Sequence, residues 1–187
     1  METGNNRYTF THRVAGPADV DEIRGLMLAS IETNMRAFLS AEEIEAAKET
    51  MGVDQTLIDD GTYFVIETIV DDKPVLVGCG GWGKRRTLYG GNHTAGRDDS
   101  LSDPTSEPAR IRAMYTHPDW IRNGIGTLLL DVGEAAAREA GFKTIELGST
   151  IPGEPLYVAR GYVELSRVTH TGANGLPNTV IKMSKKL

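Results

Sequence analysis

A strand-like stretch, "ARIRAMYTH" (Ala109 to His117), passes through Pro118 into "RNGIG" and then directly into the amphipathic run "TLLLDVGEAAARE". Gly124 and Gly126 therefore stand at the start of a helix that the following leucines strongly favour. A glycine in a helix costs about 1 kcal/mol relative to alanine, so two in succession need a reason. Absence of a Cβ permits close approach of another group to the backbone. The first helical turn also offers N–H groups without partners and the positive end of the helix dipole. This junction demands a strand–turn–helix unit whose turn is either simply tight or open to an anion.

The rest of the chain builds around that unit. "YTFTHRVA" (Tyr8 to Ala15) reads as a first strand, and Pro17 with Asp19 starts a helix. Val20, Ile23, Leu26, Met27, Ile31 and Met35 recur on one face of it. "SAEE" at Ser40 is a capping box that opens a second helix ending near Gly52. "TYFVIETIV" and "KPVLVGCGGW" are strands joined by a hairpin at "DDKP". From Gly83 to Pro108 the chain becomes polar and loop-like, long enough to imply a functional or disordered segment. In the helix after the glycine turn, Ile125, Leu128, Leu129, Val132, Ala136 and Ala140 form the expected buried face, closed by Gly141. "KTIELGS", a short helix in "GEPLYVARGY", and strands "YVELSRVTHT" and "PNTVIKMSK" follow. The order β-α-α-β-β-β-α-β-α-β-β is a mixed α/β arrangement rather than a regular βα alternation. Its 187 residues suit one domain, 1–187.

Charge and cysteine content narrow the function. A net charge of -6 argues against a nucleic-acid binder. No apolar run reaches the ~20 residues of a membrane span, and the polar start "METGNNRYTFTHRV" lacks a signal-peptide layout. Cys79 is the single cysteine, expected to be buried and inert, so neither a disulfide nor a cysteine-based metal site is expected. These features together point to a cytoplasmic protein without a metal. Arg85, Arg86, Arg97, Arg110 and Arg112 are interleaved with acidic residues, the pattern of a solvated mixed loop.

Two familiar phosphate motifs fail here. A dinucleotide fingerprint needs a third glycine where the chain has Leu129. A P-loop would need Ser or Thr after Gly83-Lys84, and the residue is Arg85, with no helix following. The strand, the "RNGIG" turn and its helix, with "PLYVARGY" about thirty residues on, instead resemble the GNAT superfamily of N-acetyltransferases from roughly Thr9 to Lys185. That resemblance implies a central, mostly antiparallel twisted sheet of about seven strands flanked by helices. It implies acetyl-CoA as co-substrate, with its pyrophosphate on the amides of Arg122, Asn123, Gly124, Ile125, Gly126 and Thr127. It also implies main-chain contacts to pantetheine from Met114, Tyr115 and Thr116, and Tyr157 as the acid that protonates the departing thiolate. Ile121 stands where the superfamily usually has Arg or Gln.

The general base stays open between Glu107, His117, His93 and water, since Ala109 occupies the position where some relatives carry a glutamate. The expected activity is transfer of an acetyl group to a primary amine of a small molecule or peptide, by direct attack in a ternary complex. A non-catalytic acyl-CoA-binding sensor of the same fold is the alternative. The acceptor is expected to meet the segments 35–39 and 83–108, and the arginines there leave open a substrate carrying a carboxylate or phosphate. A homodimer is also left open.

Overall fold

"TYFVI" and "VLVGC" are apolar at successive positions, so strands built from them must be covered on both faces. The computed structural model, which describes residues 8–50, 52–92, 96–171, 175 and 177–187, shows how. The elements in order are β1 (Thr11–Val14), α1 (Val20–Asn34), α2 (Ala41–Thr50), α3 (Gln55–Asp59), β2 (Tyr63–Val70) and β3 (Lys73–Gly83). Then come β4 (Ala109–Thr116), α4 (Ile125–Glu139), β5 (Thr144–Ser149), α5 (Glu154–Ala159), β6 (Val163–Thr171) and β7 (Pro177–Lys186). The seven strands form one sheet in the order β1-β2-β3-β4-β5-β7-β6. Every neighbouring pair is antiparallel except β4 with β5, which is parallel.

Alternate residues of β2 enter different cores. Tyr63 and Val65 pack with α1, α2 and α3, whereas Phe64 and Ile66 pack with α4, β5 and β7. All six apolar positions expected on the first helix join the former cluster, five of them buried and Val20 at its margin. Asp71 and Asp72, both at positive φ, turn β2 into β3. At the start of α2, Ser40 N–H donates to Glu43 Oε2 at 2.7 Å and Glu43 N–H to Ser40 Oγ at 3.2 Å, completing the capping box. Cys79 is fully buried, and burial pushes its thiol up to about 12. No described helix is long and apolar enough to cross a membrane.

Three sequence expectations change. The short helix α3 is unanticipated, because five residues are too few for apolar periodicity to show. On α4 the buried face is Ile125, Leu129, Leu130, Gly133, Glu134 and Ala137, with Leu128, Val132 and Ala136 at its margin and Ala140 exposed. Glu134 hides this rotation from a hydrophobicity pattern: it is buried because Tyr162 Oη donates to it at 3.0 Å and Lys185 Nζ at 2.7 Å.

The third change concerns the polar segment between β3 and β4, which is tied down rather than loosely solvated. Arg86 N–H donates to Ser100 O, and Ser102 N–H to Lys84 O, folding the segment back on itself. Arg112 donates to Asp54 Oδ2 at 2.6 Å, to Gly90 O at 2.6 Å and to Thr87 O at 3.0 Å. Arg97 reaches the same Asp54 at 3.1 Å, Gly90 O at 3.1 Å and Asp99 at 2.9 Å. Side-chain exposure is 1% for Asp54, 4% for Arg112 and 9% for Arg97, so one buried carboxylate serves two guanidinium groups. Removing one partner of a buried ion pair leaves an uncompensated charge and typically costs about 3–5 kcal/mol. Asp54→Ala is therefore expected to lower unfolding stability by about that much in urea denaturation, far more than Asp98→Ala on the exposed side of the same segment.

Candidate active site

The parallel pair β4–β5 is in register only at Ala109 with Ile145 and Arg110 with Glu146. Beyond these the strands part. Opposite β3, Cys79 pairs with Tyr115 and Gly81 with Arg112, so β4 carries one extra residue in a bulge at Ala113 and Met114. Ala113 has φ 48°, a strained value for a residue with a side chain. Two contacts hold it: Tyr63 Oη donates to Ala113 O at 2.8 Å, and Gly80 across the sheet leaves room for Met114. A Cβ on Gly80 would lie 2.8 Å from Met114 Cγ and 3.1 Å from its Cα.

A cleft of about 1120 Å³ opens where β4 and β5 diverge. Its walls include Met114, Tyr115 and Thr116 on one side, Leu147 to Ser149 and Tyr157 on the other, and Arg122, Gly124, Ile125, Gly126 and Thr127 at one end. Gly124 caps α4 with φ 85°, a left-handed backbone that favours glycine. Leu128 N–H donates to Gly124 O at 3.0 Å, while the amides of Ile125, Gly126 and Thr127 donate to no described residue. These are the free first-turn donors that suit an anion. Gly126 is also a packing glycine, since a Cβ there would lie 2.9 Å from Leu156 Cδ2 of α5. Asn123 shapes the turn through its side chain, with Nδ2 donating to Trp120 O and Ile121 O, both at 3.2 Å. Arg122, at φ 64°, is exposed at the mouth.

Tyr157 projects from α5 toward the bulge. Its hydroxyl lies 3.9 Å from Met114 Sδ, and its ring packs edge-on against Tyr162, 5.8 Å between centroids. Burial pushes the phenol up to about 12. Tyr162 itself is a core residue, 2% exposed. Tyr115 is buried and packs in the α1 cluster while also lining the cleft. Eight of the nine expected cofactor residues, together with Tyr157, thus line one cleft; Asn123 alone does not, and acts on the turn.

The candidate bases fare differently. Glu107 forms a two-point ion pair with Arg86, at 2.6 and 2.9 Å, and accepts from Asp103 N–H at 2.7 Å. This pairing holds its carboxyl down at about 2, led by the Arg86 bonds, and it lies outside the cleft. His117 is absent from this cleft and lines a separate cavity with Trp120 and Glu22, its Nδ1 accepting from Asp119 N–H at 3.3 Å. His93 lies outside the described residues. The five arginines are likewise committed: Arg85 to Asp60, Arg86 to Glu107, Arg97 and Arg112 to Asp54, and Arg110 to Glu146. None is free for a substrate carboxylate.

A model of the acetyltransferase (GNAT) family matches residues 29–162, most of the chain and all of this cleft except its β7 rim. The chain belongs to the GNAT acetyltransferase family. It is an acyltransferase, which favours the enzyme over the sensor. No curated protein matches it in sequence. Among solved structures, it is similar to the GCN5-related N-acetyltransferase of Rhodopseudomonas palustris, with 23% identity, TM-score 0.66 and 96% of each chain covered. The PaiA N-acetyltransferase of Thermoplasma acidophilum, solved with coenzyme A, has 15% identity and TM-score 0.60 over 96% of this chain and 99% of that one. The yncA protein of Salmonella typhimurium, solved with acetyl-CoA, has 18% identity and TM-score 0.59 over 96% and 94%. These likenesses are likenesses of fold. Because Glu107 is a committed ion-pair partner away from this GNAT cleft, Glu107→Gln is expected to keep the transfer rate within about twofold, where loss of a general base costs about 10²–10⁴-fold; steady-state kinetics with a working acceptor read this directly.

Proposed function

We propose that the protein transfers an acetyl group from acetyl-CoA to a primary amine of a small molecule or peptide, in a ternary complex and without a covalent enzyme intermediate. The observation that carries this reading is the shared cleft: the free amides at the start of α4, the unpaired edge of β4 and the Tyr157 hydroxyl all face it. At about 1120 Å³ the cleft exceeds the roughly 300–1,000 Å³ typical for one small ligand, leaving room for a cofactor and an acceptor. Its coenzyme A half is described by this chain's own residues. Amides of Ile125, Gly126 and Thr127 hold the pyrophosphate, with Arg122 adding charge at the mouth. Main-chain groups of Met114, Tyr115 and Thr116 pair with pantetheine as an added strand.

The thioester then lies at the bulge. A β4 amide polarises its carbonyl oxygen as the amine nitrogen attacks, and negative charge develops on that oxygen. Collapse of the tetrahedral species breaks the carbon–sulfur bond, and Tyr157 donates its proton to the leaving sulfur. A phenol pushed up to about 12 is fully protonated at neutral pH, as a donor must be. The amine's proton leaves to water, since no histidine lines the cleft among the described residues. Positioning in one cleft supplies much of the acceleration. With its single cysteine buried, we also place the protein in the cytoplasm.

Tyr157→Phe removes the hydroxyl and keeps the ring, so the single-turnover rate is expected to fall about 10²–10⁴-fold while acetyl-CoA affinity changes less than about threefold. A near-normal rate would leave Tyr157 as a packing residue. Because an acid with a raised pKa loses its proton only as pH climbs through the raised value, the wild-type rate should show no fall from this group between about pH 7 and about pH 10. At the turn, Gly124→Val puts a β-branched side chain at positive φ beside the free amides, and acetyl-CoA should bind at least about tenfold more weakly by calorimetry. Unchanged affinity in a variant with an intact circular-dichroism spectrum would remove the turn from the cofactor site.

A further inference from the structure

The half of the cleft away from the glycine turn has a distinct chemistry. Met35, Phe38 and Leu39 descend on it from the connection between α1 and α2, Leu88 and Tyr89 from the segment before β4, and Ile151 from the turn after β5. Phe38 is 54% exposed, Tyr89 44% and Ile151 44%. Three large apolar side chains left wet within one concavity mark a surface made for an apolar ligand.

Charge accounting points the same way. Two ionic side chains line this half among the described residues, and the cation of the two is already paired. Arg112 is bound to Asp54 at 2.6 Å, and Glu43 is turned back onto its own helix, accepting from Ser40 N–H at 2.7 Å. A carboxylate or phosphate on the acceptor would meet no free cation here. Burying either without a partner is strongly unfavourable. A neutral polar group does face the cleft: Asn34 Nδ2 is committed to Thr116 O at 2.9 Å and Ser30 Oγ at 3.1 Å, which leaves its Oδ1 as an acceptor for an amine N–H.

Resting on the acetyl-transfer reading, we propose that the acceptor is a primary amine on an apolar, preferably aromatic, body, with Phe38 and Tyr89 as its specificity-determining contacts. Amino acids and phosphorylated amines are excluded by the same surface. Arg112 acts as a positioning residue, because its bonds to Thr87 O and Gly90 O set the backbone that carries Leu88 and Tyr89.

The test is a set of initial rates for the intact protein with acetyl-CoA, comparing 2-phenylethylamine and hexylamine with glutamate and phosphoethanolamine. The apolar amines should have kcat/KM at least about tenfold above the others, in line with the discrimination a hydrophobic pocket gives. Phe38 and Tyr89 are exposed, so truncation does not threaten the core. Phe38→Ala and Tyr89→Ala should each raise KM for 2-phenylethylamine about tenfold, with KM for acetyl-CoA held within about twofold. Equal or faster turnover of glutamate or phosphoethanolamine would overturn the apolar subsite and leave acetyl transfer standing. Binding of acetyl-CoA without turnover of any amine would overturn the transfer reading and this inference together.

Discussion

Strands β4 and β5 share only the register pairs Ala109–Ile145 and Arg110–Glu146 before they separate, and the rest of the molecule is organised around that separation. A parallel pair that stopped so early would expose two strand edges inside the sheet, a costly arrangement unless something else uses them. Here the divergence is built in. The extra residue at Ala113 and Met114 bends β4 away, the buried Tyr63 hydroxyl holds the Ala113 carbonyl, and Gly80 yields the space beneath Met114. Strain at Ala113 is thus supported by buried partners on β2 and β3, the pattern expected where backbone geometry serves a site. The unpaired edge of β4, the open turn before α4 and the hydroxyl of Tyr157 then face one space.

A second constraint works through charge. Asp54, Arg112 and Arg97 bury three ionic groups together, and such clusters contribute less to net stability than to fixing one arrangement over others. What they fix here is the course of the chain from Thr87 to Gly90, whose carbonyls complete the guanidinium hydrogen bonds. Ion pairs of this kind also remove charge from the cleft. The arginines of this region neutralise the protein's own carboxylates, and the wall left to an acceptor is mostly apolar.

The two glycines of "RNGIG" have separate tasks. Gly124 supplies a left-handed backbone that swings the chain from the strand end into α4, and Gly126 admits Leu156 of α5 against the helix. The second contact matters because α5 carries Tyr157. Packing at the turn that exposes the free amides therefore also seats the hydroxyl over the bulge, which couples the two ends of the proposed chemistry through one short helix.

Much of this was determined by the sequence itself. Apolar runs with β-branched residues fix β2, β3 and β5, Ser40 and Glu43 fix the start of α2, and the glycines with a following leucine-rich helix mark the turn. Each is a local signal, carried by residues within a few positions of one another. The resemblance drawn from Gly124, Gly126 and Tyr157 then named the family. Tertiary structure decided what depends on partners distant in the chain. Asp54 meets Arg112 across 58 positions and Tyr63 meets Ala113 across 50, so neither the tethered segment nor the bulge has a local signature. Glu107 and the arginines read alike in the sequence as charged candidates, yet pairing assigns each a partner and leaves none of them free to meet a substrate charge. Charge in a sequence is only an inventory, and whether a charge is free to act depends on the distance to its counterion, which the fold sets.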